Sequence, residues 1–132
     1  MYLDKNGNVI PNLSTDSALS VGIPGSVAAI FEVHRKFGSV PLKDLFEPAI
    51  LLAKKGIIVT EKEYQKLNEY RSKIVELSGN QTLYAENFKV GDTIKYLALA
   101  NTLEQILKNG ETEFYKGKTA KKLVKFLKSK FQ

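Results

Sequence analysis

The chain has 132 residues, a length that a single domain can fill, and it contains no cysteine, which excludes disulfides, thiolate nucleophiles and cysteine-based zinc sites. Hydrophobic residues make up 43% of the composition and charged residues 26%, which is ordinary for a globular protein. The formal net charge is +6.

This positive charge lies in one lysine-rich stretch. Thirteen basic and fourteen acidic residues precede position 116, so that part carries a charge of −1, and no acidic residue follows it. A basic stripe on one helix is usually a solvated face, and binding to nucleic acid or to an anionic membrane surface is the alternative interpretation. Neither a glycine-rich phosphate loop nor an aromatic RNA-binding platform accompanies the lysines. They are Lys116, Lys118, Lys121, Lys122, Lys125, Lys128 and Lys130.

Neither a membrane span nor a targeting segment is predicted. No apolar run approaches the roughly 20 residues that cross a bilayer. The first twelve residues, MYLDKNGNVIPN, are polar and lack the apolar stretch of about 7–15 residues of a signal peptide. We therefore expect that a secreted parent protein would carry its signal outside this sequence.

Glycine separates the apolar-periodic segments. It is favoured just past a helix end, where it enters the left-handed conformation without a Cβ penalty. The spacing predicts helix ends at Gly38, Gly56, Gly79 and Gly110.

The first predicted helix follows the stretch VGIPG, residues 21–25. Pro24 is tolerated near a first turn because its missing N–H would have had no helical partner. We expect Gly22 and Gly25 to let the backbone turn sharply and Gly25 to leave room for a close neighbour. The free N–H groups of such a start could also bind an anion, as an alternative. One helical face then holds Val27, Ile30, Phe31, His34 and Phe37.

The second predicted helix begins near Pro41. Pro48 lies in its middle, where it removes a backbone donor and clashes with the carbonyl of Asp44, so the helix should kink or break there. The piece PAILLAKKG, residues 48–56, is apolar apart from its lysines, and we expect it to be deeply buried. The apolar stripe comprises Leu42, Leu45, Phe46, Ala49, Ile50 and Ala53.

The third predicted helix has the clearest start signal. Thr60 and Glu63 have the spacing of a capping box. Arg71 lies on the apolar face and is expected at its edge, with the methylene groups of its side chain packed over apolar neighbours. That face comprises Tyr64, Leu67, Arg71, Ile74, Val75 and Ser78.

Helical periodicity disappears over residues 81–95, where Gly91-Asp92 favours an irregular segment or a short hairpin. A fourth helix is predicted over residues 96–110, with an apolar face of Leu99, Leu103, Ile106 and Leu107. A short helical turn then ends at Gly117. Thr119 precedes a last helix whose apolar side comprises Ala120, Leu123, Val124, Leu127 and Phe131.

The predicted fold class is therefore mainly α. We expect a single domain over residues 1–132, with five or six short helices. Residues 1–20 form an irregular N-terminal segment and residues 21–132 a helical lobe. No internal repeat is present.

Candidate chemistry is sparse. His34, the single histidine, is expected to be structural, at the edge of the core, since Glu32 and Glu63 offer no recognised metal-ligand spacing. Ser26 follows Gly25 as in a nucleophile elbow, but alanine replaces the second glycine at position 28 and no strand precedes it.

The paired carboxylates are Asp44 with Glu47 and Glu61 with Glu63, and we expect them to be solvated surface acids. The sequence predicts no catalytic, substrate-binding, cofactor-binding or metal-binding residue in this chain, and no cofactor.

The order of the segments resembles the large subunit of the gamma-glutamyltranspeptidase (glutathione hydrolase) family. That family shows a YLD stretch, a G-V-P-G-x-V-A-G helix start, a K-Y-G stop and an L-x-x-L-x-x-P-A-I-x-L-A-x-x-G segment. The corresponding stretches here are YLD (2–4), VGIPGSVAA (21–29), KFG (36–38) and LKDLFEPAILLAKKG (42–56). Downstream, residues 89–124 are similar to a G-D…L-A-x-T-L-x-x-I-x-x-x-G-x-x-x-F-Y-x-G-x-x-A stretch. The resemblance covers residues 1 to about 124.

The sequence departs from the family pattern at several positions, and these departures affect packing. Ile23 stands where the family usually has valine, and Ala29 stands where the family often has glycine. Residues 96–98, Tyr-Leu-Ala, replace a polar or proline-bearing start of the fourth helix.

The resemblance implies a fragment of an Ntn hydrolase, the helical lobe of its large subunit. Family members are precursors that cleave themselves to expose an N-terminal threonine on a small subunit, which attacks the gamma-glutamyl amide of glutathione with its own amine as base. An arginine in an R-E-x-A-P segment holds the substrate carboxylate. Arg35 and Arg71, the only arginines, lack that context, and no Gly-Thr-Thr-His motif is present.

From the resemblance we expect the chain alone to be inactive, with the rest of the large subunit and the small subunit as its partners and glutathione as the substrate of the parent. The parent would be periplasmic or extracellular. Part of the apolar surface, such as that from Leu42 to Ala53, should be exposed or covered by a second copy of the chain.

Overall fold

The structure is a computed structural model and describes residues 2–129. Helices dominate, in agreement with the predicted fold class. Six α-helices, two two-residue strands and two short 3-10 turns occur in this range. The helices are α1 (Ser26–Phe37), α2 (Leu42–Lys55), α3 (Glu61–Ser78), α4 (Leu97–Asn109), α5 (Glu111–Tyr115) and α6 (Lys118–Ser129), and the strands are β1 (Ile57–Ile58) and β2 (Thr93–Ile94).

The chain divides into two compact units, Leu45–Leu103 and the remainder on either side of it. Both unit boundaries fall inside helices, in α2 and in α4. The prediction of one domain over residues 1–132 stays a prediction. Within it, residues 1–20 were expected to be irregular, and the described part holds an isolated bridge between Leu3 and Val9 and a 3-10 turn at Ala18–Ser20.

The N-terminal turn is closed by Asp4. Its carboxylate accepts hydrogen bonds of 2.8 Å from the backbone N–H groups of Asn6 and Asn8. The backbone and side-chain bonds from Asn8 lower the pKa of Asp4.

The central unit, residues 45–103, has its own buried core. Ile50, Val59, Ala85, Ile94 and Ala100 are buried there, with Val59 only 1% exposed. β1 and β2 pair antiparallel, Ile57 with Ile94 and Ile58 with Thr93. Residues 81–95 are therefore irregular rather than a hairpin of their own, because their strand pairs with residues before α3.

The structure corrects the prediction for α2. The helix runs through Pro48 without a break, since a proline removes only its own intrahelical hydrogen bond. Ile50 and Ala53 are buried as expected, but Leu51 and Leu52 are 51% and 57% exposed, so residues 48–56 are not deeply buried throughout.

The faces of α1 and α4 also differ from prediction. On α1, Val27, Phe31 and His34 are half-buried, whereas Ile30 and Phe37 are exposed. On α4, Ala100 and Ile106 are buried, whereas Leu99, which was placed on the apolar face, is 49% exposed.

Three of the four helix-stop glycines have the predicted positive φ, namely Gly56, Gly79 and Gly110. Gly38 does not, because its φ is −69°. A Cβ there would lie 2.6 Å from the His34 ring, so a close approach explains this glycine. Predicted features at Lys130 and Phe131 lie outside the described residues.

Candidate functional site

The start of α1 is held by a tyrosine from α5. The hydroxyl of Tyr115 donates to the carbonyl of Pro24 at 2.6 Å and accepts from the N–H of Ala28 at 3.0 Å. The ring of Phe114 packs edge-on against the Tyr115 ring, with centroids 5.1 Å apart. One N–H that an anion would need is therefore already bound, which weighs against the anion-binding alternative.

The glycines of this start do not have the predicted roles. A Cβ on Gly22 or Gly25 would meet nothing within 4 Å. Gly25 has a φ of −83°, which any residue adopts. The prediction that Gly25 leaves room for a close neighbour is therefore wrong. The segment that leads into α1 is open to solvent, and Ile23 within it is 96% exposed.

A buried carboxylate that the sequence analysis did not single out links α5 to α6. Glu113 is 8% exposed, and its Oε1 accepts from the N–H of Thr119 at 3.0 Å and from the Thr119 hydroxyl at 3.1 Å. A Cβ on Gly117 would overlap the Glu113 carboxylate and lie 2.6 Å from its carbonyl oxygen. The available signal was the pair of Gly117 and Thr119 just after a short acidic helix.

His34 is used structurally. It is half-buried near the end of α1, and its Nε2 lies 2.7 Å from the carbonyl oxygen of Val40. A carbonyl can only accept, so Nε2 carries the proton and donates it in this contact. The ring closes the turn between α1 and α2.

The other two candidates on α1 lie apart from this contact. Ser26 is the first residue of the helix and is exposed. Glu32 forms surface ion pairs with Arg35 and, at 2.9 Å, with Lys36. The elbow interpretation of Ser26 gains no support, because the histidine proton donor is committed to Val40 and the carboxylate to cations.

The acids at the start of α3 form a cap. Glu63 accepts from the N–H and hydroxyl of Thr60, both at 2.8 Å, and the hydroxyl of Thr60 accepts from the N–H of Glu63 at 3.3 Å, which confirms the capping box. The hydrogen bonds from Thr60 lower the pKa of Glu63. Glu61 instead accepts from the Gln65 amide at 2.9 Å. Asp44 and Glu47 are exposed on α2, as predicted for surface acids.

Two further polar side chains of the central unit, Arg71 and Tyr96, are partly buried. Arg71 is half-buried, as expected for a rim residue, and its Nε is buried without a hydrogen-bond partner. Burial raises the pKa of Tyr96, and Tyr84 and Glu63 add to that rise.

The lysines of α6 lie on an exposed face. Lys118, Lys121, Lys122, Lys125 and Lys128 are all exposed. A shallow groove beside them has apolar walls from Ala120 and Val124 and a tyrosine wall from Tyr115.

Two kinds of feature do not occur in residues 2–129. No group of three histidine, cysteine, aspartate or glutamate residues there is placed to hold a metal ion. Within the same range, no helix has both the length and the apolarity that a membrane crossing requires.

Comparison with known proteins assigns the chain to a family. A model described as gamma-glutamyltranspeptidase matches residues 1–130. The glutathione hydrolase proenzyme of Pseudomonas aeruginosa is 42% identical over 127 residues, which are 94% of this chain and 22% of that protein. The Escherichia coli proenzyme is 36% identical over 93% of this chain and 22% of its own length.

A solved structure has the same fold. Gamma-glutamyltranspeptidase from Helicobacter pylori superposes with a TM-score of 0.89 at 34% identity, over 98% of this chain and 38% of that chain. The chain thus spans about a fifth of the length of the curated relatives it matches, 22% in both of these cases. Because the family model covers nearly the whole sequence, the chain belongs to the gamma-glutamyltranspeptidase family.

Proposed function

We propose that this chain is a structural segment of the large subunit of a gamma-glutamyltranspeptidase. The parent would hydrolyse glutathione and transfer its gamma-glutamyl group through an N-terminal threonine on the small subunit. The observation that carries the proposal is the superposition on the Helicobacter pylori enzyme, which uses 98% of this chain but only 38% of that one. In this proposal the catalytic groups belong to other parts of the parent.

The contacts of the described polar groups support a structural role. His34 bonds Val40, Glu63 bonds Thr60, and Glu113 bonds Thr119, so each closes a turn or caps a helix. The amphipathic helices that result would form a lobe beside the catalytic layers.

The partners and location follow from the same proposal. The lobe would bind the rest of the large subunit and the small subunit of the same precursor, and the parent would work in the periplasm or outside the cell. A second copy of the chain would cover the exposed part of α2 only when those partners are missing; Leu45 and Leu52 are 53% and 57% exposed there.

A chimera tests this proposal. Residues 1–132 replace the homologous segment of the Pseudomonas aeruginosa proenzyme, and the same proenzyme without the segment is the control. We expect the chimera to cleave itself into two subunits and to release p-nitroaniline from gamma-glutamyl-p-nitroanilide, while the deletion control does neither. A chimera that accumulates as a folded protein but neither cleaves itself nor turns over the substrate would contradict the proposal.

A further inference from the structure

One face of α1 carries an exposed apolar stripe. Ile30, Val33 and Phe37 are 53%, 57% and 80% exposed. Their spacing of i, i+3 and i+7 places them on one side of the helix, one above the other. We call these three residues the α1 stripe.

None of the three side chains of the α1 stripe is charged. Glu32 and Arg35 lie on the other side of α1, and Glu32 pairs with both Arg35 and Lys36. By contrast, the exposed Val124 and Phe126 of α6 alternate with exposed lysines, which keep that helix hydrated.

The apolar surface of α1 is also wider than the part its own unit covers. Val27, Phe31 and His34 are half-buried along one edge of it, and the stripe continues the same surface into solvent. Single exposed hydrophobic residues are normal, but a continuous row that contains a phenylalanine and two β-branched residues marks an interface.

We propose that the α1 stripe is the surface on which the rest of the large subunit packs, an inference that rests on the proposed function. The length of the relative supports that occupant, since the matched residues make up only 22% of the Pseudomonas aeruginosa protein.

The absence of cysteine from the sequence permits a direct test. Val33→Cys places a thiol on the stripe, and Arg35→Cys places one on the opposite face, where the arginine side chain is 70% exposed. Each variant is prepared in the isolated chain and in the chimera with the Pseudomonas aeruginosa proenzyme. Maleimide labelling is followed by mass spectrometry of the peptide that carries the introduced cysteine.

In the isolated chain we expect both thiols to label at similar rates that do not depend on protein concentration. In the chimera we expect Val33→Cys to label at least about tenfold more slowly than Arg35→Cys, because labelling must wait for the packed face to open. Equal labelling of the two thiols in the chimera would overturn the inference.

A second copy of the chain is the alternative occupant. If Val33→Cys labels as fast as Arg35→Cys in the chimera, while Val33→Cys alone becomes protected as the concentration of the isolated chain rises, a second copy is the occupant and the inference is wrong. The chimera separates this inference from the proposed function, since self-cleavage with a freely labelled Val33→Cys would leave the function standing while the stripe proposal fails.

Discussion

At the scale of single residues, contacts between distant positions fix the local geometry. Tyr115 bonds Pro24 and Ala28, which are 91 and 87 positions away in sequence. Glu113 and Gly117 join α5 to α6 through the close approach of a carboxylate and a glycine backbone. Neither contact has a periodic sequence signature, so neither was predicted.

Removal of the Tyr115 hydroxyl should release the start of α1. Tyr115→Phe loses one donated and one accepted hydrogen bond, and we expect the free energy of unfolding to fall by about 1–2 kcal/mol. Urea unfolding followed by circular dichroism measures the change. Tyr84→Phe is the control, because Tyr84 contacts Tyr96 through its ring. Equal effects of the two substitutions would show that the hydroxyl bonds of Tyr115 do not hold the helix start.

Two glycines give an equally sharp contrast. Gly117→Ala forces a Cβ against Glu113 and should cost about 1–3 kcal/mol of unfolding free energy. The Cβ that Gly22→Ala adds would lie in open space. This substitution should change the free energy of unfolding by no more than about 0.5 kcal/mol. Thermal melts of both variants measure the difference, and a tolerated alanine at 117 would mean that the α5–α6 junction is loose.

At the scale of elements, the sequence predicted what is determined locally. The capping box at Thr60 was correct because its donors and acceptors lie within four consecutive residues. The pairing of β1 with β2 was missed, since two-residue strands on either side of α3 leave no alternation to read. Continuity of α2 through Pro48 was missed because a proline removes only one intrahelical hydrogen bond, and the helix continues on both sides of it.

The cap of α3 should respond to pH. Its hydrogen bonds lower the pKa of Glu63 below the usual value of 4.5, so the folded state is stabilised above that pH and loses this contribution as the pH falls through the lowered pKa. The urea concentration at the midpoint of unfolding should fall as the pH is lowered from 6 to about 3. We expect this fall to be smaller in Glu63→Gln. Glu61→Gln keeps the Thr60 cap and is the control; an unchanged fall in Glu63→Gln would contradict this account.

At the scale of the whole molecule, the family resemblance seen in the sequence depended on the order of several weak motifs, each of which also has an ordinary packing explanation. In residues 2–129, His34, Glu63 and Glu113 close turns or cap helices, and the absence of site residues from this chain stays a prediction. Exposure of the α1 stripe could not be predicted, because helical periodicity shows which residues share a face but not what lies against it.

We expect the chain to unfold as one domain. The boundaries between its two compact units fall inside α2 and α4, so separate melting would have to break continuous helices, which is unfavourable. Circular dichroism and tyrosine fluorescence should therefore give coincident urea transitions. Two separated transitions would show that residues 45–103 unfold independently and that the one-domain prediction is wrong.

The central claim is that this chain contributes scaffold and that the chemistry belongs to the rest of the parent. The most direct measurement is the release of p-nitroaniline from gamma-glutamyl-p-nitroanilide by the purified 132-residue chain, with the Pseudomonas aeruginosa enzyme as positive control. We predict a rate equal to that of buffer alone, at every pH at which the positive control is active. Release that scales with the concentration of the chain and persists through repeated purification would contradict the claim.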